Sequence, residues 1–565
     1  MIWTTELPPF APFFVGALLA WITRGRLRQT IMLLVPAAGG LHLLGVEPGV
    51  YWQLSFLDYT LTPYRVDRLS LLFGYLFHIA AFLGVLFALH VRDTLQQVAA
   101  LLYAGSALGA VFAGDLISLF IFWELVAVTS AFLIWARRTD KSLRAGFRYL
   151  IIQVLSGVVL LSGILIHYHE SGSLAFVYLG LDGLASWLIF LAFGIKCAFP
   201  LLHNWLVDAY PEATPTGTVF LSGFTTKLAV YALARGFPGT ELLVYIGAIM
   251  TCFPIFYAVI ENDLRRVLAY SMINQLGFMV CGIGIGTALA VNGAVAHAFN
   301  DVIFKGLLFM SMGAVLQMTG RINGTDLGGL YKTMPITTGF CIVGACSISA
   351  FPLFSGFVSK SLVMAAVLQE GYHGVWLALL FASAGVFHHA GIKIPFFAFF
   401  AHDSGIRTKE PPLNMLFAMG IAAALCVFNG SYPWFLYDLL PSTVNYTPYD
   451  ATHVIAQLQL LFFSALAFTW LKLSGLYPPE LRSVNLDVEW IYRKLAPGAG
   501  AMLSAIGHPV DSRIRRAATR RVQDFIKVLW RHHGPHGVLA RSWPTGSMVL
   551  WVAVLLAVYL IVYYA

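Results

Sequence analysis

Glu124, Lys196, Lys227, Lys305 and Lys360 each stand deep inside a long apolar run. A charge at the centre of a membrane span costs roughly 2.5–3.5 kcal/mol on insertion scales. Side chains kept at that cost take up and release protons. A buried, unpartnered lysine titrates near neutral pH, and an approaching carboxylate makes it hold its proton. Lys196, in GIKCAFPLLHNWL, is the expected switching site, with Glu124 of FWELVAV as the carboxylate that approaches or withdraws. Lys227 lies in FLSGFTTKLAVYALA beside Ser222, Thr225 and Thr226. Hydroxyls there either hold relay waters or satisfy helix carbonyls.

His297, Asp301 and Lys305 fall at i, i+4 and i+8 in HAFNDVIFKGLLF. They share one helix face over about 12 Å. A base, an acid and an imidazole on one stripe suit a half-channel, and the spacing lets Asp301 and Lys305 hold each other charged. Lys360 follows the interruption in SISAFPLFSGFVSKSLV and is expected where the path nears the far surface. Lys393, His388 and His389 stay outside this core set, and Asp115 is placed as a helix cap.

The elements that position these residues follow from composition. The chain has 565 residues, 59% hydrophobic and 11% charged, with mean hydropathy +0.77. A soluble domain carries about 25% charge, so this is a polytopic membrane protein. Spans need about 20 apolar residues. Candidates lie near 10–24, 31–46, 69–90, 96–113, 114–135, 148–168, 184–205, 217–235, 242–260, 266–286, 289–318, 334–367, 375–400, 413–432, 452–473 and 547–564. The expected fold is all-α, with about 14–16 transmembrane helices. The net charge of +8 gathers in loops, at Arg24–Arg28, Arg137–Arg148 and Arg482–Arg541. In a membrane protein such groups set orientation and meet anionic headgroups rather than nucleic acid. The six cysteines sit in apolar segments without a C-x-x-C pair, so neither disulfide framework, metal site nor redox cofactor is indicated.

Two helices are interrupted, at Pro200 and at Pro352, and each break carries a lysine. Irregular backbone at membrane depth is tolerated only where it faces protein or water. Paired broken helices point to two repeats of inverted topology. The organisation expected is N-terminal helices 1–95, a first five-helix repeat 96–235, a second 242–400, C-terminal helices 401–475, a basic amphipathic surface segment 482–541 and a terminal span 547–565.

The segments FWELVAV, GIKCAFPLLHNWLVDAYPEATPT, ENDLRRVLAYSMINQLGFM, NDVIFKGLLF and SGFVSK resemble the antiporter-like membrane subunits shared by respiratory complex I and Mrp-type sodium/proton antiporters. GIKIPFFAFFAHD and LDVEWIYRKL are most similar to the D subunit of Mrp antiporters. The resemblance implies a polar axis at mid-membrane. It assigns Glu124, Lys196, Lys305 and Lys360 to the family's central ionisable positions, and Lys227 to a helix carrying His or Lys. Asp301 stands where the family often writes histidine. The implied activity is proton translocation within a multisubunit monovalent cation (sodium)/proton antiporter of the cell inner membrane, alongside other antiporter or complex I-like subunits. The alternatives are a pumping membrane subunit of a complex I-like NADH-quinone oxidoreductase or membrane-bound hydrogenase, and the membrane half of an inorganic carbon uptake complex. No cofactor is expected.

Overall fold

A computed structural model of the protein describes residues 6–57, 59–477, 481, 485–541 and 543–564. It divides into two units, Met1–Asn485 and Leu486–Ala565. In lipid every backbone polar group must be satisfied within the protein, and the first unit answers with helices. They are α1 (Ala11–Ile22), α2 (Gly25–Leu43), α3 (Arg68–Phe87), α4 (Thr94–Phe112), α5 (Leu116–Trp135), α6 (Asp140–Ser171), α7 (Gly183–Lys196), α8 (Asn204–Ala209), α9 (Gly217–Gly223), α10 (Thr225–Gly236), α11 (Glu241–Ile260), α12 (Leu264–Ile285) and α13 (Ala288–Thr319). There follow α14 (Pro335–Ile348), α15 (Ser355–Gln369), α16 (His373–Val386), α17 (Leu413–Ser431), α18 (Trp434–Tyr437) and α19 (Ala451–Leu473). Helix α16 runs on through π-helical turns to Phe400.

Twelve helices of the described residues are long and apolar enough to cross a membrane, and four shorter apolar ones accompany them. The chain is a multi-pass membrane protein. Its 334–367 span is two helices, α14 and α15, separated by the second break.

Helix starts are capped where the sequence supplies a side-chain oxygen. Asp67, Asp93, Asp115, Thr139, Asp263 and Thr287 each accept a backbone N–H from the first turn that follows. Left-handed Gly172, Gly286 and Gly320 end α6, α12 and α13.

One element was not expected. Strands β1 (Gly49–Phe56) and β2 (Tyr59–Val66) form an antiparallel hairpin pairing Gly49 with Val66 and Phe56 with Tyr59. Its aromatic and β-branched residues suit a pleated surface. Tyr64 is buried, stacked on Tyr51 at 4.9 Å and edge-on to Phe112 at 5.9 Å. The hairpin is tied to the start of α5, where Asp115 Oδ2 accepts from Thr62 N at 2.6 Å.

The second unit holds α20 (Ala496–His533) and α21 (Thr545–Tyr564). Helix α20 is 38 residues long and exposed along nearly all of its described length, with Arg513, Arg515, Arg516, Arg520 and Arg521 clustered in its middle.

Candidate functional site

The two breaks are built alike. The tetrapeptide Ala-Phe-Pro-Leu occurs at 198–201 and again at 350–353. In both copies the alanine and the leucine are left-handed: φ is 62° at Ala198, 70° at Leu201, 58° at Ala350 and 72° at Leu353. In both, the phenylalanine N–H reaches back five residues, Phe199 to the Gly194 carbonyl at 3.0 Å and Phe351 to the Cys346 carbonyl at 3.0 Å. Proline cannot continue the ladder, so each helix stops in mid-core and leaves carbonyls to be satisfied. Two further features upstream of the breaks are alike. Asp115 and Asp263 each cap a helix and each form an isolated antiparallel bridge, to Ala175 and Asn323. Helices α6 and α13 are both 32 residues long.

The freed carbonyls meet side chains. Trp205 Nε1 donates to the Ile195 oxygen at 2.8 Å, and Lys360 Nζ donates to the Ile348 oxygen at 2.8 Å. A cation at a helix C-terminus is favoured by the peptide dipoles. Lys360 also lies over the Phe278 ring, 5.1 Å from its centroid.

Lys196 is fully buried at the end of α7. Its ammonium donates to the Trp123 carbonyl at 2.5 Å and sits 4.4 Å from the Trp123 ring centroid. Glu124, the next residue along α5, is half-buried and packs against Gly157 of α6, where a side chain would overlap its Oε1. Among the described residues Glu124 Oε1 takes no hydrogen bond. The two charges act on each other through space, but the lysine is held by tryptophan rather than by the glutamate.

A third interruption sets Lys227. Phe224, with φ −113° and ψ −66°, separates α9 from α10. The Thr225 N–H that the break frees donates to Tyr103 Oη at 3.0 Å. Lys227 Nζ donates to the freed Ser222 carbonyl at 3.2 Å and forms an ion pair with Asp301 Oδ2 at 2.6 Å. Both partners are fully buried.

That pair corrects the sequence reading of α13. Asp301 engages Lys227 from α10, not Lys305 on its own helix. Spacing of i and i+4 brings two side chains within reach, but a lysine from another helix claims the carboxylate. Lys305 Nζ instead donates to Ser271 Oγ of α12 at 2.8 Å. His297 bridges Gln275 Oε1 at 3.1 Å and Ser359 Oγ at 3.0 Å. Neutral imidazole protonated at Nε2 satisfies both contacts. The charges still lie within electrostatic range of one another: Lys305 with Asp301, Lys227 and Lys360, and Lys360 with Asp301.

Lys393 closes the C-terminus of α11, donating to the carbonyls of Ala258, Val259 and Glu261 at 3.3, 2.6 and 2.7 Å. His389 is buried and His388 half-buried beside it. Sequence reasoning missed the uncharged members: Trp123, Tyr103, Ser271, Gln275, Ser359 and the Asn300–Asn429 amide pair at 3.0 Å. Their only signal is polarity inside apolar helices. The segment 208–218 is held by arginines: Arg148 pairs with Asp208 at 2.6 Å, and fully buried Arg265 donates to the carbonyls of Tyr210, Ala213 and Thr214.

Comparison with known proteins agrees with this architecture. The D subunit of the Na(+)/H(+) antiporter of Alkalihalophilus pseudofirmus is 31% identical over 309 residues, 50% of this chain and 62% of that protein. Hydrogenase-4 component B of Escherichia coli is 28% identical over 430 residues, 66% of this chain and 62% of that protein. The chain thus spans less than two thirds of these relatives' length. Among solved structures, a chain of the Mrp complex from Dietzia sp. DQ12-45-1b superposes with TM-score 0.70 at 20% identity, covering 83% of this chain and 99% of that one. A chain of the membrane-bound sulfane sulfur reductase, an archaeal respiratory membrane complex, gives TM-score 0.72 at 23% identity over 98% of this chain and 100% of that one. The model of the family described as NADH:quinone oxidoreductase/Mrp antiporter, TM, matches residues 113–423, more than half of the chain, and the chain belongs to that family.

Proposed function

We propose that this chain is the proton-translocating subunit of a multisubunit monovalent cation/proton antiporter, with sodium as the exchanged cation. Protons pass along Glu124, Lys196, Lys227, Asp301, Lys305, His297 and Lys360, a series running across two repeats of inverted topology. The observation that carries this reading is the buried Lys227–Asp301 ion pair, which links the first-half lysine to the second-half helix. A charge change at either end alters how firmly the shared carboxylate is held, because coupling between buried charges falls slowly with distance. Lys196 exchanges its tryptophan contacts for Glu124 as the neighbouring charge changes. A path spread over two repeats needs neighbours at its ends, so other antiporter or complex I-like subunits flank the chain in the inner membrane.

The basic stretch 482–541 would brace such a neighbour or grip anionic lipid. Removing residues 482–565 is then expected to weaken complex assembly, and intact assembly after truncation would rule out the bracing role.

The test is reconstitution of the whole complex in vesicles with a sodium gradient and a pH-sensitive dye. Sodium-dependent proton movement that Lys305→Ala abolishes while assembly is retained supports the proposal; undiminished flux contradicts it. A second reading, a proton-pumping subunit of a redox-driven membrane complex, is favoured by the coverage of 98% of this chain by the sulfane sulfur reductase chain, tail included. It predicts proton movement driven by electron transfer and indifferent to sodium.

A further inference from the structure

The turn between α1 and α2 and the turn between α3 and α4 line an open pocket of about 600 Å³. Arg24, Arg26, Arg28 and Arg92 line it, with Gln29 and Gln97, and among the described residues no acidic side chain does. Four guanidinium groups around one pocket make a positive potential there that favours an anion.

Arg24, Arg26 and Arg92 are exposed, and the buried fourth arginine, Arg28, is fixed by the walls. Arg28 is 8% exposed. It donates to the Thr23 carbonyl at 2.8 Å, to Thr94 Oγ1 at 2.7 Å and to Gln97 Oε1 at 3.1 Å. All three acceptors are neutral, so its charge is not cancelled. Gln97 Nε2 is anchored on the Val91 carbonyl at 2.6 Å and Gln29 Nε2 on the Leu89 carbonyl at 2.8 Å, which fixes the walls. Gly25 is left-handed, with φ 61°, and turns Arg24 and Arg26 around the bend. Asp93, next to Arg92 in the chain, is engaged elsewhere. It caps α4 and pairs with Arg138 at 2.7 Å.

The surroundings say what form the anion takes. Trp21, Leu18, Ile22 and Leu27, on the helix ends that flank the cavity, are all exposed large apolar side chains. Tryptophan at a helix end marks the headgroup level of a bilayer. Arg137 and Arg138 lie at the α5–α6 turn and Arg144 and Arg148 on the first turns of α6, and the Arg138–Asp93 pair ties that turn to the α3–α4 turn. By the excess of arginine, this end faces the cytoplasm, where the leaflet carries anionic lipid. We propose that the cavity binds the phosphate group of an anionic phospholipid, its acyl chains lying along the exposed apolar ends of α1 and α2. This goes beyond the transport reading and does not depend on it.

Native mass spectrometry of the purified full-length chain, titrated with phosphatidylglycerol, phosphatidylcholine or inorganic phosphate alone, tests the assignment. One phosphatidylglycerol should be retained in preference to phosphatidylcholine, and millimolar phosphate should not displace it. The triple variant Arg24→Gln/Arg26→Gln/Arg92→Gln, which spares Arg28, should weaken that binding by roughly a hundredfold, about a factor of five per arginine near an anionic group. Arg92→Gln alone, expected to weaken it about fivefold, serves if the triple variant does not fold. Displacement by phosphate would give the cavity to the free anion and overturn the lipid assignment. Equal retention of the two lipids, or unchanged binding in the variants, would overturn it as well.

Discussion

Lys227 and Asp301 form a fully buried ion pair at 2.6 Å, one partner from α10 and the other from α13. A buried charge pair repays its desolvation only with close geometry, and losing one partner strands the other. The pair also ties helix α10 to helix α13. Lys227→Ala or Asp301→Ala alone is therefore expected to destabilise the protein by about 3–5 kcal/mol. A double-mutant cycle on thermal unfolding in detergent should return a coupling energy above about 1 kcal/mol. Additive single effects would mean that the pair does not hold the halves.

Gly157 should be intolerant of a side chain for a reason that involves no charge. A Cβ there would overlap Glu124 Oε1, so Gly157→Ala must push the carboxylate away from its present site. Proton flux in vesicles is expected to fall to the level of Glu124→Gln, although every ionisable group remains. Wild-type flux in Gly157→Ala would show that the position of Glu124 is unimportant.

Ser271 is the acceptor for the Lys305 ammonium at 2.8 Å. Ser271→Ala removes that acceptor and leaves the lysine buried without it, a loss on the order of 1–3 kcal/mol for a hydrogen bond to a charged group. Flux should drop severalfold with assembly intact, and Ser271→Thr should restore it. Equal flux in serine and alanine forms would show that Lys305 is positioned by its helix alone.

The left-handed alanines of the two breaks, Ala198 and Ala350, have φ of 62° and 58°. A left-handed residue with a Cβ costs about 1–2 kcal/mol, and glycine escapes that cost. Ala198→Gly and Ala350→Gly should therefore fold and transport normally. Ala198→Val and Ala350→Val place a β-branched residue where it fits worst and should lower thermal stability and flux together. Unimpaired valine variants would argue that the breaks are pliable.

Much of this was legible in the sequence because membrane burial makes exceptions conspicuous. Lys196, Lys227, His297, Asp301, Lys305 and Lys360 are buried in helices, as their apolar flanks imply, and the helices stop around Pro200 and Pro352. Spacing along one helix gave the wrong partner for Asp301, because the deciding neighbour, Lys227, lies on a helix far along the chain. Glu124 and Lys196 were expected as a pair. Trp123, adjacent to Glu124, takes the ammonium with both its carbonyl and its ring. The β-hairpin escaped notice because its apolar residues merge with the hydrophobicity of the whole chain, although YWQLSF and YTLTPYRV carry strand-forming residues.

The central claim is that buried charge, shared between the halves, carries protons. Its most direct test is flux through assembled complex containing the double variant Lys227→Met/Asp301→Leu. Replacing both partners by apolar groups of similar size removes both charges of the pair at once, so neither is left without the other. The account predicts a complex that assembles and moves no protons in response to a sodium gradient. Sodium-dependent proton movement at the wild-type rate in that assembled double variant would contradict it.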